Sequence, residues 1–115
     1  HPVEDVPLPS RHNLGWVVAI EGPGFTAGTV SPLKTHTLIG SAEGCDLRIP
    51  NDATVSRQHA AIVLCLDNLY YVRDMGATNP ARLNSRVLEP RELHRLIDGD
   101  ELKIGSSVFC FKDLV

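Results

Sequence analysis

The sequence predicts an all-β domain, an antiparallel sandwich or barrel, and three observations support that prediction. Short runs of aliphatic, β-branched and aromatic residues recur along the chain, and clusters of Gly, Asp, Asn and Pro cut them at close spacing. Helical spacing is weak throughout: the best candidate, ARLNSRVLEPRELHRLI, is interrupted by Pro90, whose ring removes a helical hydrogen bond and clashes with the preceding turn.

Taken in order, the chain opens with HPVEDVPLPSRHN, residues 1–13, which has three prolines and no apolar periodicity and reads as a disordered tail or linker. WVVAI follows as the first strand, then the turn-rich GPGFTAG, then THTLIG closed by SAEG, and LRI closed by PND. HAAIVLCL and LYYVRD flank Asp67-Asn68, a pair that tolerates the left-handed conformations of a tight hairpin. In HAAIVLCL, Ala60, Ile62, Leu64 and Leu66 are expected on one face, with Ala61, Val63 and Cys65 on the other. Both faces are apolar, so this strand is expected at the centre of a sheet, with its amino end emerging into a loop at the edge of the sandwich. RLNSRVL, LIDGDELKIG and VFCFKDLV supply the remaining runs.

Bulk properties set limits on function. A chain of 115 residues has the length of one domain and can bury a core without staples. A net charge of −3 offers no general attraction to phosphate backbones or anionic lipid, which argues against nucleic acid and membrane as partners. Cys45, Cys65 and Cys110 are odd in number and widely spaced, so they do not form a disulfide framework and point to a reducing, intracellular and cytoplasmic setting. No apolar run approaches the length of a membrane span, and no signal-peptide pattern is present. Because the sequence opens on His1, it reads as a piece cut from a longer chain.

The stretch VSRQHA, residues 55–60, sets a hydroxyl, a guanidinium and an imidazole directly against a strand that must be packed. It is one of four motifs, with LIGSAEGCDLRI (38–49), DMGATNP (74–80) and LIDGDELKIG (96–105), that occur in the order and spacing of one family. On these motifs the chain resembles a forkhead-associated (FHA) domain from about Trp16 to Phe111, so that the domain occupies residues 14–115. The resemblance implies an eleven-stranded β-sandwich with no enzymatic activity and no cofactor, whose apical loops dock a threonine-phosphorylated partner as a signalling adaptor.

The chemistry suits that implication. A phosphothreonine carries close to two negative charges and three acceptor oxygens, so its receptor needs clustered hydroxyls, amides and a guanidinium on fixed backbone. By resemblance, Ser56 and Arg57 touch the phosphate, Thr78 shapes the phosphothreonine pocket and Asn79 grips the peptide backbone. His59 is a brace for the neighbouring loops, while Gly40, Gly76, Gly99 and Gly105 serve turns and close approaches. Arg82 and Arg86 are expected in the loop that selects residues flanking the phosphothreonine; there Arg86, Arg91 and Arg95 either favour an acidic side chain or are plain surface charge.

Two departures from the family pattern stand out. Ser41 occupies a phosphopeptide-contacting position where the family usually carries an Arg, a main phosphate ligand. A hydrogen bond to a charged group contributes about 1.5–3 kcal/mol, so the replacement is expected to weaken binding by roughly ten- to a hundredfold unless Arg57, Arg82 or Arg86 compensates. Pro80 and Ala81 replace the usual Gly and Thr after Asn79, stiffening the loop.

Other classes fit less of the sequence. Ser56, His59 and Asp74 are the residue types of a hydrolytic triad, but no nucleophile-elbow pattern surrounds them. A zinc site needs ligands in close pairs, whereas the cysteines are scattered singly. The serious alternative is a degenerate FHA scaffold, suggested by Ser41, that binds an unphosphorylated partner or another copy of itself.

Overall fold

Alternation of apolar and polar residues dictates which face of each strand is buried, and the computed structural model, which describes residues 15–23 and 25–113, follows it closely. The 1–13 tail lies outside the described residues. Eleven strands form in chain order: β1 (Gly15–Glu21), β2 (Val30–Pro32), β3 (His36–Gly40), β4 (Leu47–Arg48), β5 (Ala60–Leu64), β6 (Tyr70–Asp74), β7 (Arg82–Leu83), β8 (Arg86–Val87), β9 (His94–Arg95), β10 (Glu101–Ile104) and β11 (Ser107–Asp113). They build two sheets, a six-stranded one in the order β2-β1-β11-β10-β7-β8 and a five-stranded one in the order β4-β3-β5-β6-β9.

The inner faces interlock to make the core. Val17 and Ala19 of β1, Leu102 and Ile104 of β10, and Phe109 and Phe111 of β11 meet Ile39, Ile62, Tyr70 and Val72 from the other sheet, all buried. Full burial of each large side chain stabilises the fold by about 1.5–3 kcal/mol. Tyr70 sets its ring edge-on to Phe111, with centroids 5.5 Å apart, and its hydroxyl accepts the Gly15 N–H at 3.2 Å. The phenol therefore adds apolar area to the core while satisfying a buried amide.

The structure corrects the sequence reading at several places. The sandwich is not wholly antiparallel: β3 and β4 run parallel, with Ile39 opposite Leu47 and Gly40 opposite Arg48. The apolar run after His59 leaves the ladder at Leu64, and Leu66, expected in the core, is 63% exposed. The turn begins earlier than Asp67 because Cys65 N–H already bonds the Leu69 carbonyl at 3.0 Å, which places Leu66 at its tip. Asn68 takes the left-handed conformation (φ 66°) while Asp67 caps the Leu69 N–H and accepts the Tyr71 hydroxyl at 2.6 Å. RLNSRVL is two strands rather than one, folded back at Asn84 and Ser85, whose φ values of 50° and 70° suit a two-residue hairpin. The short strands β2 and β9 carry no clear alternation in the sequence.

Consequently β3 and β6 end, and β5 begins, at the same end of the five-stranded sheet, so that the segments 41–46, 49–59 and 75–81 converge there. This placement predicts a sharp contrast in chemical denaturation. Leu64→Ala should cost about 2–5 kcal/mol through the cavity it leaves, whereas Leu66→Ala should change stability by no more than about 0.5 kcal/mol. Equal losses for the two variants would place Leu66 back in the core.

Candidate functional site: three loops braced by a buried histidine

His59, immediately before β5, is fully buried, and both of its ring nitrogens are committed. Nδ1 accepts the Ser56 N–H at 3.0 Å, and Nε2 lies 2.7 Å from the Asn79 carbonyl oxygen. An imidazole that accepts at Nδ1 and meets a carbonyl at Nε2 must be neutral, with its proton on Nε2. Its own backbone adds two further ties, from His59 N–H to the Ile39 carbonyl at 2.8 Å and from Met75 N–H to the His59 carbonyl at 2.9 Å. One side chain thus joins the segment carrying Ser56 and Arg57 to the segment carrying Thr78 and Asn79.

Asp74, the last residue of β6 and also fully buried, shapes the second of these segments. Its Oδ2 accepts the N–H groups of Gly76 and Ala77 at 2.9 and 3.0 Å, and its Oδ1 accepts that of Ala81 at 3.0 Å. The loop is therefore wound around a carboxylate. Gly76 is left-handed (φ 84°), the conformation for which glycine is suited. The Asp74 carbonyl also accepts the Arg91 N–H at 2.8 Å, and Arg91 Nη2 lies beside Gly76.

The first loop is laced to the same strand end. Ser41 N–H donates to the Ser56 carbonyl at 3.1 Å, Ala42 N–H to the Arg57 carbonyl at 3.2 Å, and the Cys45 thiol to that same carbonyl at 3.1 Å. Gly40 is required here because a Cβ at that position would collide with the Arg57 carbonyl oxygen. Asp52 ties the middle loop down from another side: its carboxylate accepts the Thr54 N–H and hydroxyl and, at 2.8 Å, the Ser106 N–H from the β10–β11 turn. These donors, led by the Thr54 hydroxyl, hold the Asp52 carboxyl below the usual carboxylate range.

Ser41, Ser56, Arg57, Thr78 and Asn79 therefore lie on one rim, joined by the hydrogen bonds among the three segments. The Ser56 hydroxyl oxygen accepts the Thr78 N–H at 3.3 Å, which leaves its own proton free to donate outward. Asn79 Nδ2 donates to the Thr54 carbonyl at 3.2 Å, orienting its amide, and Arg57 extends into solvent with no side-chain partner among the described residues. A cleft of about 410 Å³ opens beside Asn79, lined by Thr54, Pro80, Arg82, Val87 and Lys103. Arg82 belongs to this cleft. Arg86 lines a different hollow of about 340 Å³, with Glu89 and His94. Arg95 pairs with Tyr71 across β9 and β6, away from Asn79. Gly99 (φ 94°) shapes the turn before β10. Thr54 and Lys103 escaped the sequence reading, Thr54 for want of any distinguishing context and Lys103 because it reads as an ordinary outward residue of a strand.

The hydrolytic arrangement does not form. Both imidazole nitrogens serve backbone groups rather than the Ser56 hydroxyl, and the Asp74 carboxylate is spent on loop amides. The three cysteines are free thiols.

The brace has a definite pH signature. Burial holds the His59 imidazole below its ordinary value of 6.5, outweighing the opposing pull of the Asn79 carbonyl and Asp74. Below that value the unfolded chain takes up the proton while the folded one resists, so the stabilising contribution is complete above pH 6.5 and is lost as pH falls toward the folded value. Urea unfolding of the wild type and of His59→Gln between pH 7.5 and 5 should show the wild type losing stability more steeply below pH 6.5, and parallel curves would refute this assignment.

Comparison with known proteins accords with the architecture. The profile of the FHA domain family matches residues 37–105. Protein FraH from Nostoc is 38% identical over 65 residues, which is 54% of this chain and 22% of that protein, so the match spans about a fifth of FraH. The FHA domain of an Arabidopsis thaliana hypothetical protein superposes with a TM-score of 0.78 at 26% identity, covering 88% of this chain and 86% of that one. Mycobacterium tuberculosis EmbR, solved in complex with a low-affinity phosphopeptide, gives a TM-score of 0.76 at 25% identity over 97% of this chain and 28% of that one. The N-terminal FHA domain of S. cerevisiae Rad53p, solved with a phosphothreonine peptide, gives 0.77 at 19% identity over 87% of this chain and 93% of that one. With its family profile matched over more than half its length, the chain belongs to the FHA domain family.

Proposed function

We propose that this domain is a non-catalytic signalling module that docks a phosphothreonine-containing partner on the rim formed by residues 41–46, 54–57 and 78–79. The observation that carries the reading is the His59 bridge, because it fixes the Ser56 segment and the Asn79 segment at one separation before any ligand arrives. A phosphate set there meets the Ser56 hydroxyl, the Thr78 hydroxyl and the Arg57 guanidinium, and the peptide backbone runs past the Asn79 amide. Phosphopeptide complexes of EmbR and of Rad53p support the same use of the fold. Three free thiols and a ligand written by protein kinases suit an intracellular, cytoplasmic setting.

The cleft beside Asn79 takes the residues that flank the phosphothreonine. Arg82 and Lys103 face each other across β7 and β10 and form no ion pair among the described residues. Like charges opposed across a sheet repel; Glu101 shares a second hollow with both cations, but no acid among the described residues lines the cleft beside Asn79, so an acidic side chain suits this place.

A second reading, the phospho-independent scaffold, draws on Ser41, which removes a charged donor from the first loop. Calorimetric titration with a degenerate phosphothreonine peptide library and its unphosphorylated twin separates the two. Phosphate-dependent binding that weakens with salt is expected, with Arg57→Ala or Asn79→Ala reducing it by roughly ten- to a hundredfold. Equal affinity for both libraries favours the scaffold. Within the phosphorylated library, Arg82→Glu combined with Lys103→Glu should reverse a preference for acidic flanking residues, and an unchanged selection would remove these side chains from recognition.

A further inference from the structure

Resting on the phosphothreonine reading, a second guanidinium can be assigned to the phosphate. Arg48 is exposed on β4, where parallel pairing sets it beside Gly40 at the entrance to the 41–46 loop. Its Nε donates to the Ser41 carbonyl at 3.0 Å, which pins the guanidinium against the residue that itself bonds the Ser56 carbonyl. An exposed arginine with its Nε held in this way has its flexible stem fixed and its two terminal amino groups available.

The charges around it leave those groups uncompensated. Asp46, two residues before Arg48, has its carboxylate engaged by the Lys34 ammonium at 2.6 Å and the Leu38 N–H at 2.8 Å. Glu43, at the loop tip, is exposed and forms no ion pair among the described residues. Across the loop, the Cys45 thiol donates to the Arg57 carbonyl. Burial raises this thiol above its ordinary value, with Asp46 adding to the rise and the Ala42 backbone, Arg57 and Arg48 opposing it. Two unpaired arginines thus flank the loop that touches Ser56, one of them held in place by a backbone carbonyl.

We propose that Arg48 supplies the phosphate-binding guanidinium that Ser41 does not provide, reaching the site from β4 beside the first loop and acting with Arg57 as a two-armed clamp. The ligand is the dianionic phosphate monoester of a phosphothreonine peptide, for which two planar donor forks are well matched.

The test is fluorescence anisotropy with the degenerate phosphothreonine library and its unphosphorylated twin, with melting temperatures measured in parallel. Arg48→Gln should weaken phosphopeptide binding tenfold or more, leave the melting temperature unchanged, and have no effect on the twin. Adding Ser41→Arg to Arg48→Gln should restore most of the lost affinity, because the charge then returns by the neighbouring route. Arg48→Lys, which keeps the charge but loses the planar fork and the Nε–H hold, should recover only part. A phosphopeptide affinity for Arg48→Gln within twofold of wild type overturns the assignment, as does failure of Ser41→Arg to rescue it. If the wild type binds both libraries equally, the phosphothreonine reading fails, and the role of Arg48 fails with it.

Discussion

The rim depends on one neutral imidazole. His59 is the point at which two loops from different strand connections are measured against each other, and both of its contacts are to backbone groups rather than to side chains. Backbone contacts fix where Ser56 and Asn79 begin, so the positions of their side chains follow from the strands and not from loop composition. Because the ring is buried, its two hydrogen bonds face no competition from water, and losing either would leave an unsatisfied buried polar group. The interaction therefore defines a geometry as well as contributing stability. Asp74 completes it from the adjoining strand, since a carboxylate accepting three loop amides leaves the 75–81 segment few alternative conformations.

Charge is divided between structure and surface in a consistent way. Near the rim three aspartates are occupied by the fold, Asp52 by Thr54 and Ser106, Asp74 by its loop and Asp46 by Lys34 and Leu38, while Glu43 stays exposed at the tip of the first loop. The cations Arg48, Arg57, Arg82 and Lys103 are left without ion pairs among the described residues. A chain with a net charge of −3 can thus present a locally electropositive face. Net charge argues against general polyanion binding, while the arrangement of donors decides whether a single dianion is held.

Much of this was legible in the sequence because it rests on strong local signals. The long strands β1, β5, β6, β10 and β11 carry clear alternation or apolar runs, and Ser56, Arg57, Thr78 and Asn79 sit in motifs of fixed spacing. The failures have physical causes. A strand of two or three residues, such as β2 or β9, exists because a neighbour offers it hydrogen bonds, and its own residues carry no periodicity. Leu66 is chemically identical to a core leucine, and only the early closure of the turn at Cys65 moves it to the surface. Arg82 and Arg86 lie four residues apart, but a two-residue hairpin intervenes and sends them to different hollows. Nothing in the sequence distinguishes Arg48; what does so is its parallel pairing with β3 and the bond from its Nε to the Ser41 carbonyl.

Pro80 shows how a departure from the family pattern can be absorbed without loss of the site. The loop amides that carry hydrogen bonds are those of Gly76, Ala77, Thr78 and Ala81. Proline, which has no N–H to give, stands between them at an exposed position where it deprives the loop of none of these bonds. Its ring fixes one backbone angle and biases Asn79 toward extended conformations. Since Asn79 is already held through its carbonyl by His59 and through its amide by Thr54, the proline acts on a residue constrained from two other directions. Such a loop has little freedom left to lose when a ligand binds, and reduced ordering on association favours affinity without any added contact. The same sequence that lacks the expected arginine at position 41 thus carries a stiffening proline at position 80, in a different loop of the rim.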